Sequence, residues 1–230
     1  MVLDAVPGDP AGLADRLCRA LAAALGVDGA AMSALTHTPL RQRLGSSDEL
    51  ADLIETVQFS VGEGPCVQAA ATGNPVIVED LHAQAGARWP GFAELAARRL
   101  AAVGAVFGFA LALDGATLGS VDLYCRTRRR LSPAQIADAA DAVAVAAAVL
   151  LATPHFTTDS LPLDAREAFT DMDPWRCMHL AIGVIAGLLE VAPDQALAQM
   201  RAYAFTNDML LPDLAIQILG EHIGPSELNR

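Results

Sequence analysis

The 230-residue chain contains no lysine. Every fixed side-chain positive charge is an arginine, which excludes Schiff-base catalysis and the lysine of a P-loop. Aromatic residues make up only 5% of the chain, so its core must be built from aliphatic and small side chains. Cysteine is sparse and dispersed: Cys18, Cys66, Cys125 and Cys177 form no C-x-x-C pair. His37, His82, His155, His179 and His222 are equally scattered. These spacings predict no metal site, name no cofactor, and suit buried thiols in a reducing compartment. Long apolar runs are missing too. The stretch from Ala134 to Leu151 comes closest, but Gln135, Asp138 and Asp141 interrupt its first half, so no membrane span is expected. The N-terminal residues lack a basic segment followed by an apolar one, and the expected location is the cytoplasm. Net charge is −12, which argues against a general nucleic-acid coat protein. Among catalytic signatures, G-x-S-x-G, H-E-x-x-H and the kinase motifs are all absent, and the sequence predicts a non-enzyme.

What the chain does have is hydrophobic content, 53% of residues, much of it alanine, which favours closely packed helices. Leu13, Leu17, Leu21 and Leu25 share one helical face, and Gly26 is placed to end that helix. Gly29–Leu35 and Leu40–Leu44 follow as strands. Asp48 is a candidate N-cap for a helix running to about Phe59. The β-branched run Val76–Val78 predicts a buried strand, and Trp89–Leu100 another helix. Strands over Val103–Leu113 and Thr117–Tyr124 flank Asp114-Gly115, a hairpin signal. Ser132-Pro-Ala-Gln135 is a capping box that opens a helix to Leu151. The fold class is therefore α+β, an antiparallel sheet with flanking helices, over residues 1–152. Residues 153–172, rich in proline, threonine and serine where they begin, are expected to form a linker or crossing segment. Residues 173–230 then predict three short amphipathic helices. Met178, Ile182, Ile185 and Leu189 line the first, Pro193 starts the second, and Pro212 starts the third.

Two sets of motifs carry a resemblance. Phe59-Ser-Val-Gly-Glu-Gly-Pro-Cys66, Val76-Ile-Val-Glu-Asp-Leu81, Arg88-Trp-Pro-Gly-Phe92 and Leu118-Gly-Ser-Val-Asp-Leu123 resemble the GAF domains of actinobacterial GAF–ANTAR regulators. Ala181-Ile-Gly183, Ala196 to Phe205 and Leu211-Pro-Asp-Leu-Ala215 resemble the ANTAR domain, a three-helix bundle. The resemblance implies a homodimer whose GAF domain senses a small-molecule effector. Its ANTAR domain would bind RNA hairpins and promote transcription antitermination, with Ala181, Gly183, Arg201 and Tyr203 as the RNA-binding residues.

Individual residues leave alternatives. Gly62-Glu-Gly-Pro65 fits a structural turn into a helix better than a phosphate cradle, since no lysine follows. Cys66, at that helix start, belongs to an effector pocket, acts as a redox thiol, or is inertly buried. Arg126, Arg128, Arg129 and Arg130 form the only basic cluster, suited to pairing with acids or to contacting RNA. Arg201 fits an RNA contact and a structural hydrogen bond equally. Ala181 and Gly183 permit close backbone approach, and Tyr203 either stacks on a base or packs in the core. Residues 171–230 contain Asp171, Asp173, Glu190, Asp194, Asp208, Asp213, Glu221 and Glu227 against Arg176, Arg201 and Arg230, a balance of 3 − 8 = −5. That surplus supports the alternative of a sensing or dimerisation scaffold whose bundle binds protein instead of RNA.

Overall fold

A computed structural model describes residues 12–35, 41–113, 115–152 and 173–228. The expected linker at 153–172 and the hairpin residue Asp114 lie outside the described residues.

Helix α1 (Leu13–Leu25) ends where Gly26 turns left-handed at φ 61°. Strands β1 (Gly29–Leu35) and β2 (Arg41–Ser46) follow. Asp48 then caps α2 (Glu49–Val61), its carboxylate accepting from the N–H groups of Leu50 and Ala51. Such a cap contributes about 1 kcal/mol. Next come α3 (Pro65–Thr72), β3 (Val76–Val78), the short α4 (Leu81–Gln84), a 3-10 turn and α5 (Pro90–Arg99). The long strands β4 (Ala105–Leu113) and β5 (Ala116–Cys125) lead to α6 (Pro133–Ala152). Ser132 and Gln135 exchange the two hydrogen bonds of a capping box at its start, as their spacing predicts.

The five strands form one antiparallel sheet in the order β2-β1-β5-β4-β3. The pleat sends alternate residues to opposite faces. Ala30, Met32, Phe107, Phe109, Val121 and Leu123 pack against α1 and α6. On the other face Ala31, Val76, Val106 and Tyr124 pack against α2, α4 and α5. Gly108 keeps this second face thin: a Cβ there would lie 2.6 Å from the carbonyl oxygen of Pro65, so α3 rests directly on β4. The second face also carries Ser33, Ser120 and Asp122, all buried.

Helix α6 is the one helix among the described residues long and apolar enough to cross a membrane, with mean hydropathy 1.4 over Pro133–Leu150. Its Ala139, Val143, Ala146, Ala147 and Leu150 are instead part of the sheet's core, as a core helix requires.

After residue 172 the chain forms α7 (Pro174–Leu189), α8 (Pro193–Thr206), α9 (Leu211–Leu219) and the short α10 (Pro225–Leu228). Proline occupies the first turns of α7, α8 and α9, where its missing N–H costs nothing. Met178, Ile182, Ile185, Leu197, Met200, Leu214 and Ile218 interlock in a third core. Phe59 of α2 belongs to this core as well. The four-residue α10, which adds Leu228 to it, was not foreseen from periodicity, being too short to show one.

Candidate functional site

Helix α2 is buried along its inner half so completely that its polar residues are buried with it: Glu55, Thr56, Gln58 and Ser60. An apolar setting makes unpaired polar groups costly, so these side chains must find one another. Arg41 of β2 enters the same space, its Nη2 donating to the hydroxyls of Ser33 and Ser120 and lying 3.5 Å from Glu55 Oε1. Gln58 donates through Nε2 to Asp122 Oδ2 and accepts the Cys66 backbone N–H at Oε1, 2.8 Å away. The Cys66 thiol donates to Glu55 Oε2 at 3.3 Å. Arg41, Glu55, Gln58, Cys66 and Asp122, drawn from β2, α2, α3 and β5, thus make one buried polar cluster between the sheet and its covering helices.

Burial dominates the electrostatics of this cluster. It pushes the Cys66 thiol well above its usual range despite the nearby Arg41 charge. Burial, then the charge of Glu55, does the same to the Asp122 carboxyl. For Arg41, burial opposes the charge, but Cys66, Glu55 and Asp122 outweigh it and the pKa is raised. The helix start at Cys66 therefore does not yield a low-pKa thiolate in this setting, because desolvation exceeds the dipole's effect. The donor atoms of Glu55, Cys66 and Asp122 lie within 4.8 Å of one another, a set able to hold a metal ion. No sequence spacing signalled it, since residues 55, 66 and 122 meet only through the fold.

The loop between α2 and α3 shapes the edge of the cluster. Gly62 and Gly64 adopt φ of 71° and 136°, conformations that side chains resist. Glu63 between them turns outward, and its Oε2 accepts from the Gly91 and Phe92 N–H groups at the start of α5. Beside this loop lies a cavity of about 230 Å³ lined by Leu35, Arg41, Phe59, Gly62, Ala70 and Arg201, among others. Arg41 therefore faces both the buried cluster and this cavity.

Arg201 reaches the cavity from α8. Its Nε and Nη2 both donate to the Phe59 carbonyl, at 3.0 and 2.9 Å, and its guanidinium lies 5.3 Å from the centre of the Phe59 ring. Burial, then the charge of Arg41, lowers its pKa to about 10. Neighbouring contacts hold the C-terminal helices to the same surface. Trp175 tilts against Phe59 with ring centroids 5.0 Å apart. His179 Nε2 donates to the Arg41 carbonyl at 2.9 Å, the Leu211 N–H donates to Ser60 Oγ at 3.1 Å, and Arg98 pairs with Asp208 at 2.7 Å.

The other residues singled out from sequence do not join this site. Ala181 is fully buried inside the C-terminal core, whereas Gly183 is exposed with open space where a Cβ would project. Tyr203 is half-buried and packs against that core. Of the basic cluster, Arg128 pairs with Asp80 at 3.0 Å and Arg130 with Glu79 at 3.1 Å, while Arg129 donates to the Gly26 carbonyl. These partners belong to the sheet's own lobe. Sequence reasoning missed Arg41, Glu55, Gln58 and Asp122. A signal was present in α2, where Glu55 and Gln58 interrupt a face otherwise made of Ala51, Ile54 and Val57.

The family model for the GAF domain matches residues 8–192. Among solved structures, the chain is similar to a domain of a Sinorhizobium meliloti 1021 protein assigned to the two-component sensor histidine kinases. Identity there is 17%, covering 63% of this chain and 92% of that one, with a TM-score of 0.50. It is also similar to a GAF domain/HD domain protein from Geobacter sulfurreducens, at 15% identity, 66% and 99% coverage and a TM-score of 0.49. No curated protein matches the chain.

Proposed function

The chain belongs to the GAF domain family, and from that premise we propose that it is a signal-responsive regulator whose C-terminal ANTAR-like helices bind RNA hairpins and promote antitermination. Membership of the family supports a signal-sensing role. The observation that carries the rest is the docking of α8 on α2, because Arg201, an RNA-binding residue by the resemblance, is held there by the Phe59 carbonyl. While Phe59 holds its guanidinium, that arginine is unavailable to a phosphate. An effector that binds the loosened arrangement better than the docked one shifts the population toward a free Arg201. The effector is a small molecule, and the working form is a cytoplasmic homodimer without enzymatic activity. Exposed Val184 and Leu188 border an apolar groove of about 740 Å³ on the C-terminal helices, which supports pairing with a second copy.

An electrophoretic titration with a paired-hairpin RNA tests this reading. Phe59→Ala, which keeps the carbonyl but removes the ring that packs against the Arg201 guanidinium and Trp175, is expected to loosen the docked helices and to bind saturably at low salt, at least several-fold tighter than wild type. Its affinity should fall as salt rises, and adding Arg201→Ala should remove the gain. No saturable binding by either protein at low salt overturns the RNA reading. The acidic balance of the last sixty residues favours a second reading, a sensing and dimerisation scaffold whose bundle binds protein, and that negative result is the one it expects.

A further inference from the structure

Glu55, Cys66 and Asp122 are 1%, 0% and 2% exposed, and their donor atoms already lie within 4.8 Å of one another. A tetrahedral ion with bonds of about 2.0–2.3 Å sets its ligand atoms roughly 3.5 Å apart. Small side-chain rotations therefore suffice to close the three donors on one ion. A second observation points the same way: Glu55 Oε1 and Asp122 Oδ1 are buried and accept no hydrogen bond. Buried carboxylate oxygens are seldom left so, because the lost hydration is uncompensated. Gln58 satisfies Asp122 Oδ2, the Cys66 thiol satisfies Glu55 Oε2 and Arg41 lies 3.5 Å from Glu55 Oε1, which leaves Asp122 Oδ1 for another partner.

Charge arithmetic identifies that partner. Three ionised ligands carry −3; a divalent cation and the Arg41 guanidinium, 3.5 Å from Glu55 Oε1, together carry +3. A neutral total is what a dry interior requires. Two oxygens and one thiolate suit a borderline transition metal; magnesium and calcium favour oxygen alone. Arg41 also lines the cavity of about 230 Å³, which places that cavity beside the cluster. Three protein ligands leave a fourth position for water or a small ligand.

We propose that Glu55, Cys66 and Asp122 form a binding site for a divalent transition-metal ion of the zinc class. This rests on the signal-sensing role proposed above, and it makes the bound ion an anchor for the small-molecule effector. On binding, Cys66 Sγ forms a bond to the ion and its proton, now shared with Glu55, leaves to solvent.

The test uses the full chain, stripped with a chelator and titrated with Co(II). One equivalent is expected to give a thiolate-to-cobalt charge-transfer absorption, which Zn(II) displaces. Cys66→Ser should abolish the band, while Cys18→Ser, whose thiol sits on the opposite face, should keep it. Circular dichroism checks that each variant is folded. Should Cys66→Ser fail that check, Glu55→Gln answers instead, with a weakening of at least ten-fold expected. No cobalt band from wild type, or a band unchanged in the folded Cys66→Ser variant or, where that variant does not fold, in Glu55→Gln, overturns the proposal. Since the absorption is read without RNA, that failure leaves the regulatory reading standing, and loss of RNA binding leaves the metal site standing.

Discussion

Arg201 shows how one side chain takes a structural role. Two of its N–H groups converge on the Phe59 carbonyl, a geometry that the planar guanidinium fork allows. Sequence spacing supported that hydrogen-bonding role and an RNA contact equally, because the partner lies 142 residues away. Cys18 gives a prediction at the same scale. Its thiol, wholly buried beneath α1, donates to the Gly45 carbonyl at 3.4 Å. Burial foremost, with Asp15, raises its pKa from 9.0 to about 12. The folded form thus keeps the proton longer than the unfolded chain does. Its contribution to stability is complete below pH 9 and disappears as pH rises towards 12, with a slope of up to about 1.4 kcal/mol per pH unit. Urea unfolding at stepped pH is expected to show this decline in wild type, and a shallower one in Cys18→Ala. Equal slopes would mean that the thiol titrates normally.

Elements with strong local signals were legible in the sequence. Gly29–Leu35 and Val76–Val78 are strands with the expected bounds. Asp48, Ser132, Pro193 and Pro212 mark helix starts where their chemistry requires. The short α4 and α10 were not legible, since four residues carry no period. The polar cluster was hidden for a different reason. Arg41, Glu55, Cys66 and Asp122 sit on four elements, and only the sheet order β2-β1-β5 brings β2 and β5 under the same helix. The contact between α3 and β4 depends on Gly108 having no side chain. Gly108→Ala is expected to force α3 off the sheet and cost about 1–3 kcal/mol, read as a lowered urea midpoint. A midpoint equal to wild type would show that α3 yields freely.

Across the whole molecule, the sheet with its covering helices and the C-terminal helices share a core. Phe59 and Ser60, at the end of α2, serve the C-terminal helices, while Glu55, one turn earlier, serves the buried cluster. A single helix thus meets both the buried polar cluster and helices α7 to α9. Packed interiors respond to such changes as a unit, because they have little free volume to absorb them. Hydrogen–deuterium exchange of wild type and Glu55→Gln, which removes the charge partner of Arg41 while keeping the side chain's shape, tests this coupling directly. Amides of Pro193–Thr206 are expected to exchange faster in the variant together with those of α2. Faster exchange confined to α2 and β2, with α8 unchanged, would contradict it.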